Sequence, residues 1–242
     1  MATGFIVGAI VGATGVGGGA LMTPMLISIF GYSPAVAIAT DLLFAAFIKG
    51  LISLRSAKLR EVDWPIVTKI WLGALPAAML SVLALRGLVS AEVLDLLPVL
   101  VAVMIGFSGY SMLRSMPVGL KRAPHASSLG AILGTLVSLT SVGAGALGMV
   151  FLRALMKPNV TMSSMVATDL AVAVPIALVA GAAHFAGGFF DSQLFLLIAP
   201  TGLVGAFLGA RVRNKVEGQM LRSFVGGILV FAALGMIMKA LP

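Results

Sequence analysis

Two stretches of this chain carry the same interruption, each inside apolar sequence where a helix would otherwise run on. The first is Gly15-Val16-Gly17-Gly18-Gly19-Ala20-Leu21 and the second is Ser141-Val142-Gly143-Ala144-Gly145-Ala146-Leu147. Val16 to Leu21 reads VGGGAL and Val142 to Leu147 reads VGAGAL, an offset of 126. Downstream, Ala39-Thr40-Asp41-Leu42 matches Ala167-Thr168-Asp169-Leu170 at 128, and Val89 and Leu94 align with Val216 and Leu221 at 127. These offsets divide the chain into a first repeat at 1–113, a linker at 114–128 and a second repeat at 129–242. Internal repetition of this kind is a property of many transporter folds.

The sequence between the interruptions is membrane sequence. Hydrophobic residues make up 60% and charged residues 10%, against about 45–50% and about 25% in a soluble domain. No water-soluble fold of this size hides that much apolar surface. A large extramembrane catalytic domain, a nucleic-acid-binding domain and a disordered regulator are thereby excluded. Six stretches, roughly 35–56, 65–85, 92–114, 161–184, 193–211 and 218–240, have the length of one helical crossing. They are continuous and do not alternate, which argues against strands. The expected fold is an all-α integral membrane protein. The net charge of +8 falls in short loops and reads as orientation charge, so no nucleic-acid partner is expected. The chain has no cysteine and two distant histidines, His125 and His184. No metal site, no cofactor and no catalytic residue is expected from such a set. No cleavable signal is evident, because the first apolar run starts at once without a basic segment.

The two broken stretches, about 2–30 and 127–156, are too long and too interrupted for plain spans. Loop charge decides between two readings of them. If each crosses the membrane fully, eight cations fall on one side and seven on the other, with Lys49 set aside as intramembrane. If each is a re-entrant hairpin, every half has three crossings and the halves are inverted. The count then becomes thirteen against two, with Arg86 and Lys239 alone on the minor side. The expectation is therefore two inverted repeats, each one Gly-broken helix plus three transmembrane helices. The basic loops and the linker are placed in the cytoplasm. Non-helical backbone at membrane depth needs protein or a polar cavity around it, so the Gly-rich tips should meet near the midplane.

At each tip a half-helix begins, near Ala20 and Ala146. Helix starts carry unpaired N–H groups and partial positive charge, and glycine lets a ligand approach the backbone. The expected substrate-binding set is Gly17, Gly18, Gly19 and Ala20 from the first break and Gly143, Ala144, Gly145 and Ala146 from the second, with the hydroxyls of Thr40 and Thr168. The alternative is that these small residues only permit close helix packing. Asp41 and Asp169 occupy equivalent places inside predicted spans. A carboxylate there is costly and by default functional, so both are candidates for coupling anion movement to a proton. The alternative is that each holds the neighbouring broken helix in place. Lys49 follows Asp41 by about two turns, has Ala177 at its equivalent position in the second half, and either snorkels or draws anions toward the pathway. His184 stands at the other face as a structural residue or a relay, and Trp64 fits an aromatic belt.

The GVGGGALMTP stretch (Gly15–Pro24), GYSPAVAIATDLLFAAFIKG (Gly31–Gly50) and VDW (Val62–Trp64), with VGAGALG (Val142–Gly148), VATDLAVAVPIALVAGAAH (Val166–His184), GAFLGARV (Gly205–Val212) and MLR (Met220–Arg222), resemble the sulfite-exporter TauE/SafE family of membrane permeases. The resemblance covers nearly the whole chain. It implies a secondary transporter of sulfur-containing oxyanions, sulfite or organosulfonates, in a prokaryotic inner membrane. Its partners would be a small anion and the lipid bilayer, with a homodimer left open. The competing readings are an anion channel and an intramembrane aspartyl protease, whose two acids would have to share a proton.

Overall fold

The computed structural model describes residues 2–14, 19–55, 60–87, 91–113, 125–143, 145–157, 159–212 and 218–240. Among these residues there are ten helices and no strand. Four are short: α1 (Ala2–Thr14), α2 (Gly19–Ser28), α6 (Ala126–Thr140) and α7 (Ala146–Leu155). Six are long: α3 (Pro34–Arg55), α4 (Trp64–Gly87), α5 (Ala91–Leu113), α8 (Met162–Ala186), α9 (Ser192–Val212) and α10 (Gly218–Ala240). The long helices coincide with the six expected crossings. Five of them, α3, α4, α5, α8 and α9, carry an apolar window of 18 residues or more. In α10 the described apolar window is Ser223–Met238. The broken stretches are helix pairs, and their breaks fall at the Gly-rich tips. The first three residues of α6 fall inside the expected linker.

The polarity of the fold is that of a membrane protein. Leu72, Leu196, Phe231 and Met238 are exposed, whereas Thr40, Asp41, Lys49, Thr168, Asp169 and His184 are buried. Pro24, Pro76, Pro98, Pro175 and Pro200 all lie inside helices, which neighbouring helices make tolerable in lipid. Polar side chains define the helix starts. Asp63 Oδ1 accepts from Ile66 N (3.3 Å) ahead of α4, and Asp191 Oδ1 accepts from Leu194 N (2.9 Å) ahead of α9. Thr161 caps α8 through Ser164 N at 3.2 Å.

Glycine seams lock the halves together and fix helix directions. Gly4, Gly8 and Gly12 of α1 meet Ile198, Gly202 and Ala206 of α9 in that order, so the two helices run the same way. Gly130 and Gly134 of α6 meet Ile70 and Ala74 of α4 in the same sense. A Cβ on any of the five would strike a carbonyl oxygen of the facing helix. Backbones this close gain van der Waals contact that larger residues would forbid, which is how helices associate without a hydrophobic drive. α3 and α8 run oppositely, since Leu43 faces Gly181 and Gly50 faces Val174. α5 and α10 also run oppositely, with Gly106 against Ala233 and Leu113 against Gly226. Exchanging the halves maps this set of pairings onto itself.

The directions also determine how the first broken pair lies. The short link at 187–191 turns α8 back into α9, so α9 runs with α3, and α1 therefore runs with α3 as well. α2 folds back against α3 across the short link at 29–33, and Thr23 of α2 reaches Asp41 of α3. α1 thus runs with α3, and α2 runs against it.

Candidate functional site

Asp41 is a buried acid anchored by hydroxyls from both halves of the chain. It sits on α3, fully buried, and its Oδ2 accepts from the hydroxyls of Thr23 (2.6 Å) and Ser141 (2.7 Å). Thr23 belongs to α2, and Ser141 is the C-cap of α6, in the break of the other half. Ser141 holds φ 59, a left-handed conformation that costs a non-glycine residue about 1–2 kcal/mol. Its bond to Asp41 helps offset that cost. Asp41 therefore does hold a broken helix in place, and the pair it secures spans both halves. Its second oxygen, Oδ1, has no hydrogen-bond partner, and neither has the buried Thr40 Oγ1.

Asp169 is placed differently, although its sequence position is equivalent. It lies on α8, buried, beside Gly148 in the first turn of α7, where a Cβ would collide with its Oδ1. A carboxylate at a helix start complements the local positive end of the dipole. Glycine at 148 is what leaves room for it. Thr168 is committed to structure: its hydroxyl donates to Ser164 O (2.7 Å) and accepts from Asp63 N (3.1 Å). This ties the start of α4 to α8, and Ser164 Oγ donates to Glu61 O at 2.6 Å beside it. Thr168 has thus given its one hydrogen to the backbone.

The two acids are far apart. The register of α3 on α8 sets Asp169 level with residue 55, so the acids are separated by some fourteen residues of helix, about 20 Å at ~1.5 Å per residue. They cannot share a proton as a proteolytic dyad must.

Lys49 overturns one expectation. Snorkelling needs the side chain to follow its helix to the surface, yet Lys49 is only 3% exposed. It faces inward and lies within electrostatic reach of Asp169 and Asp41. His184 is likewise no surface residue. It is 1% exposed, its Nε2 is 2.9 Å from Ser138 O, and its ring meets Phe189 edge-on. A carbonyl oxygen only accepts, so Nε2 carries the hydrogen. Its Nδ1 has no partner.

At the second break Gly143 holds φ 126, which favours glycine, and Gly145 caps the start of α7. Gly148 N donates to Gly143 O and Met149 N to Gly145 O, closing the first turn. Gly19 opens α2, while Ala20 and Ala146 lie in the first turns of α2 and α7. Gly17, Gly18 and Ala144 lie outside the described residues. Trp64 and Trp71 meet edge-on at 6.2 Å, with Trp64 exposed as a belt residue would be. They line an apolar groove of about 460 Å³ with Phe47 and Leu178. Sequence reasoning missed Thr23 and Ser141. A hydroxyl in each broken stretch was the only available signal, and nothing in the sequence aims it.

Comparison with known proteins adds an independent result. The family described as Sulfite exporter TauE/SafE matches residues 1–236. The chain is 27% identical to the "Probable membrane transporter protein YjnA" of Bacillus subtilis (strain 168), over 97% of each chain. No solved structure matches it.

Proposed function

We infer the function from one premise: this chain belongs to the sulfite exporter TauE/SafE family. It is a multi-pass membrane transporter. Its substrate, on our reading, is a sulfur-containing oxyanion, sulfite or an organosulfonate, bound near the midplane between the two Gly-rich breaks. The observation that carries this is the start of α7. Gly145 caps it, and Gly143 precedes it at φ 126. Such a start offers N–H groups and positive dipole to an anion without a buried cation in contact. On this reading the start of α2, at Gly19 and Ala20, supplies matching donors from the first break. The packing role of glycine is met elsewhere, in the seams of α1 with α9 and α6 with α4.

The opposite running of α3 against α8 and of α5 against α10 supports two inverted repeats of 1–113 and 129–242 about the linker 114–128. Inversion brings the breaks in from opposite faces and sets the basic loops in the cytoplasm of a prokaryotic cell, with the inner membrane as the site of action. Asp41 and Asp169 serve coupling, Asp41 directly beside the second break. A channel would use the same anion site; coupling separates the two. Proteoliposomes loaded with buffered sulfite provide the test. Transport predicts flux that follows an imposed cation gradient and is lost in Gly145→Val. Flux indifferent to every gradient would make the protein a channel, and no flux of sulfite or any sulfonate would refute the substrate class.

A further inference from the structure

Three buried side-chain atoms without partners, Asp41 Oδ1, Thr40 Oγ1 and His184 Nδ1, belong to residues placed around the end of α6. Their residues are at most 1% exposed. Two observations bring them together. Asp41 accepts from Ser141 Oγ, and His184 Nε2 bonds Ser138 O three residues earlier, so both dock on the same last turn of α6. Thr40 and His184 also occupy one level of the α3–α8 contact, each three residues beyond the pair Leu43 and Gly181.

Acceptor lone pairs outnumber donors in the set. A carboxylate oxygen and an Nδ1 whose ring hydrogen is on Nε2 present only lone pairs, and a hydroxyl presents lone pairs as well. A buried set of acceptors lacks an electropositive partner. The carbonyl end of α6 adds negative dipole at the same place. Charge counting agrees. Among the described residues the buried charged side chains of the interior are Asp41, Asp169 and Lys49, which sum to one negative charge in their ordinary forms with His184 neutral. α2 and α6, packed around the set, bring no charged side chain. The buried charges on the elements that carry the set are Lys49, eight residues along α3 from Asp41, and Asp169, fifteen residues along α8 from His184. One further positive charge neutralises the interior.

We propose that Thr40, Asp41 and His184, gathered on the last turn of α6, form a binding site for one monovalent cation, a proton or a sodium ion. The site stands on its own geometry. Its use rests on the proposed anion transport: the cation would balance the charge of an oxyanion at the adjoining start of α7. The hydroxyl of Thr40 can donate toward the anion while its lone pairs face the cation.

Thermal unfolding of the full chain in detergent, with no anionic substrate present, tests binding alone. Sodium chloride is titrated against choline chloride at constant ionic strength, and pH is varied from about 8 to about 6, across the ordinary range of histidine. A ligand of the folded state raises the melting temperature with its concentration. If the cation is sodium, the temperature rises saturably with sodium and not with choline, and Thr40→Ala needs at least tenfold more sodium for the same rise. If it is a proton, sodium has no effect, the temperature rises as pH falls, and the rise disappears in both Asp41→Asn and His184→Gln. A temperature that ignores sodium and stays level or falls with pH overturns the proposal, since a merely structural buried histidine gives that pattern. The anion reading is untouched by that result, because sulfite flux is measured separately.

Discussion

The two hydroxyl bonds to Asp41 permit a quantitative prediction. Thr23→Val keeps the shape of the side chain and removes the 2.6 Å bond; Ser141→Ala removes the 2.7 Å bond. Neutral hydrogen bonds between membrane helices average about 0.6 kcal/mol. Bonds to a charged group contribute about 1.5–3 kcal/mol each. Both bonds are short, as charge-assisted O–H···O bonds are, and both converge on one oxygen of a fully buried carboxyl. The charged case therefore governs, and each substitution should cost about 2 kcal/mol. For a chain of this size a change of 1 kcal/mol moves the melting temperature by about 2–4 °C. Each variant should then melt about 4–8 °C lower in detergent. The double variant should lose more than the sum, because each single variant keeps one hydroxyl on the carboxylate and the double variant keeps neither. The measurement is scanning fluorimetry, with Asp41→Asn as the third corner of the cycle. Melting points within 1 °C of the parent in both single variants would refute the reasoning.

Other consequences follow from named contacts. Gly8→Leu should separate α1 from α9 and lower folded yield sharply, whereas Gly227→Leu, with open space at its Cβ, should leave size-exclusion profiles unchanged. Lys49→Gln should destabilise the chain by about 3–5 kcal/mol, the loss seen when one partner of a buried charge set is removed; a melting point equal to the parent's would show that its charge is not needed inside. Single cysteines at Thr3 and Ser33, introduced into this cysteine-free chain, should label from the same side of the membrane; labelling from opposite sides would mean that α1 and α2 cross in series.

The sequence made the elements legible but not their neighbours. Helix ends could be placed to within a few residues because apolar runs end at loops such as Glu61–Asp63 and Gly187–Asp191, and because a run such as Gly17-Gly18-Gly19 is too weak a helix former to be passed over. Lateral packing was not legible. In water an apolar stripe tells which face of a helix is buried; in lipid both faces are apolar and the stripe vanishes. Nothing local says that Gly8 belongs against Gly202 or that Ser141 belongs to Asp41, a hundred residues away. Lys49 stayed ambiguous for the same reason. Its closeness to the basic end of α3 allowed an exit to the surface, whereas its side chain is buried. Asp41 and Asp169 look identical by repeat position, and only the structure separates an acid bound by two hydroxyls from one set against a helix start.

The seams between halves bear on how such a chain is made. α1 leaves the ribosome before its partner α9, which follows about 190 residues later, a delay of roughly 10–40 s at common rates of synthesis. Until then the stripe of Gly4, Gly8 and Gly12 faces lipid, a notch that any other membrane helix with small residues could enter. α4 waits for α6 in the same way, though for far less time. The N-terminal half therefore leaves the translocon as an open receptor for its own second copy, and a truncated chain would remain one, ready to be completed by the missing half supplied as a separate polypeptide.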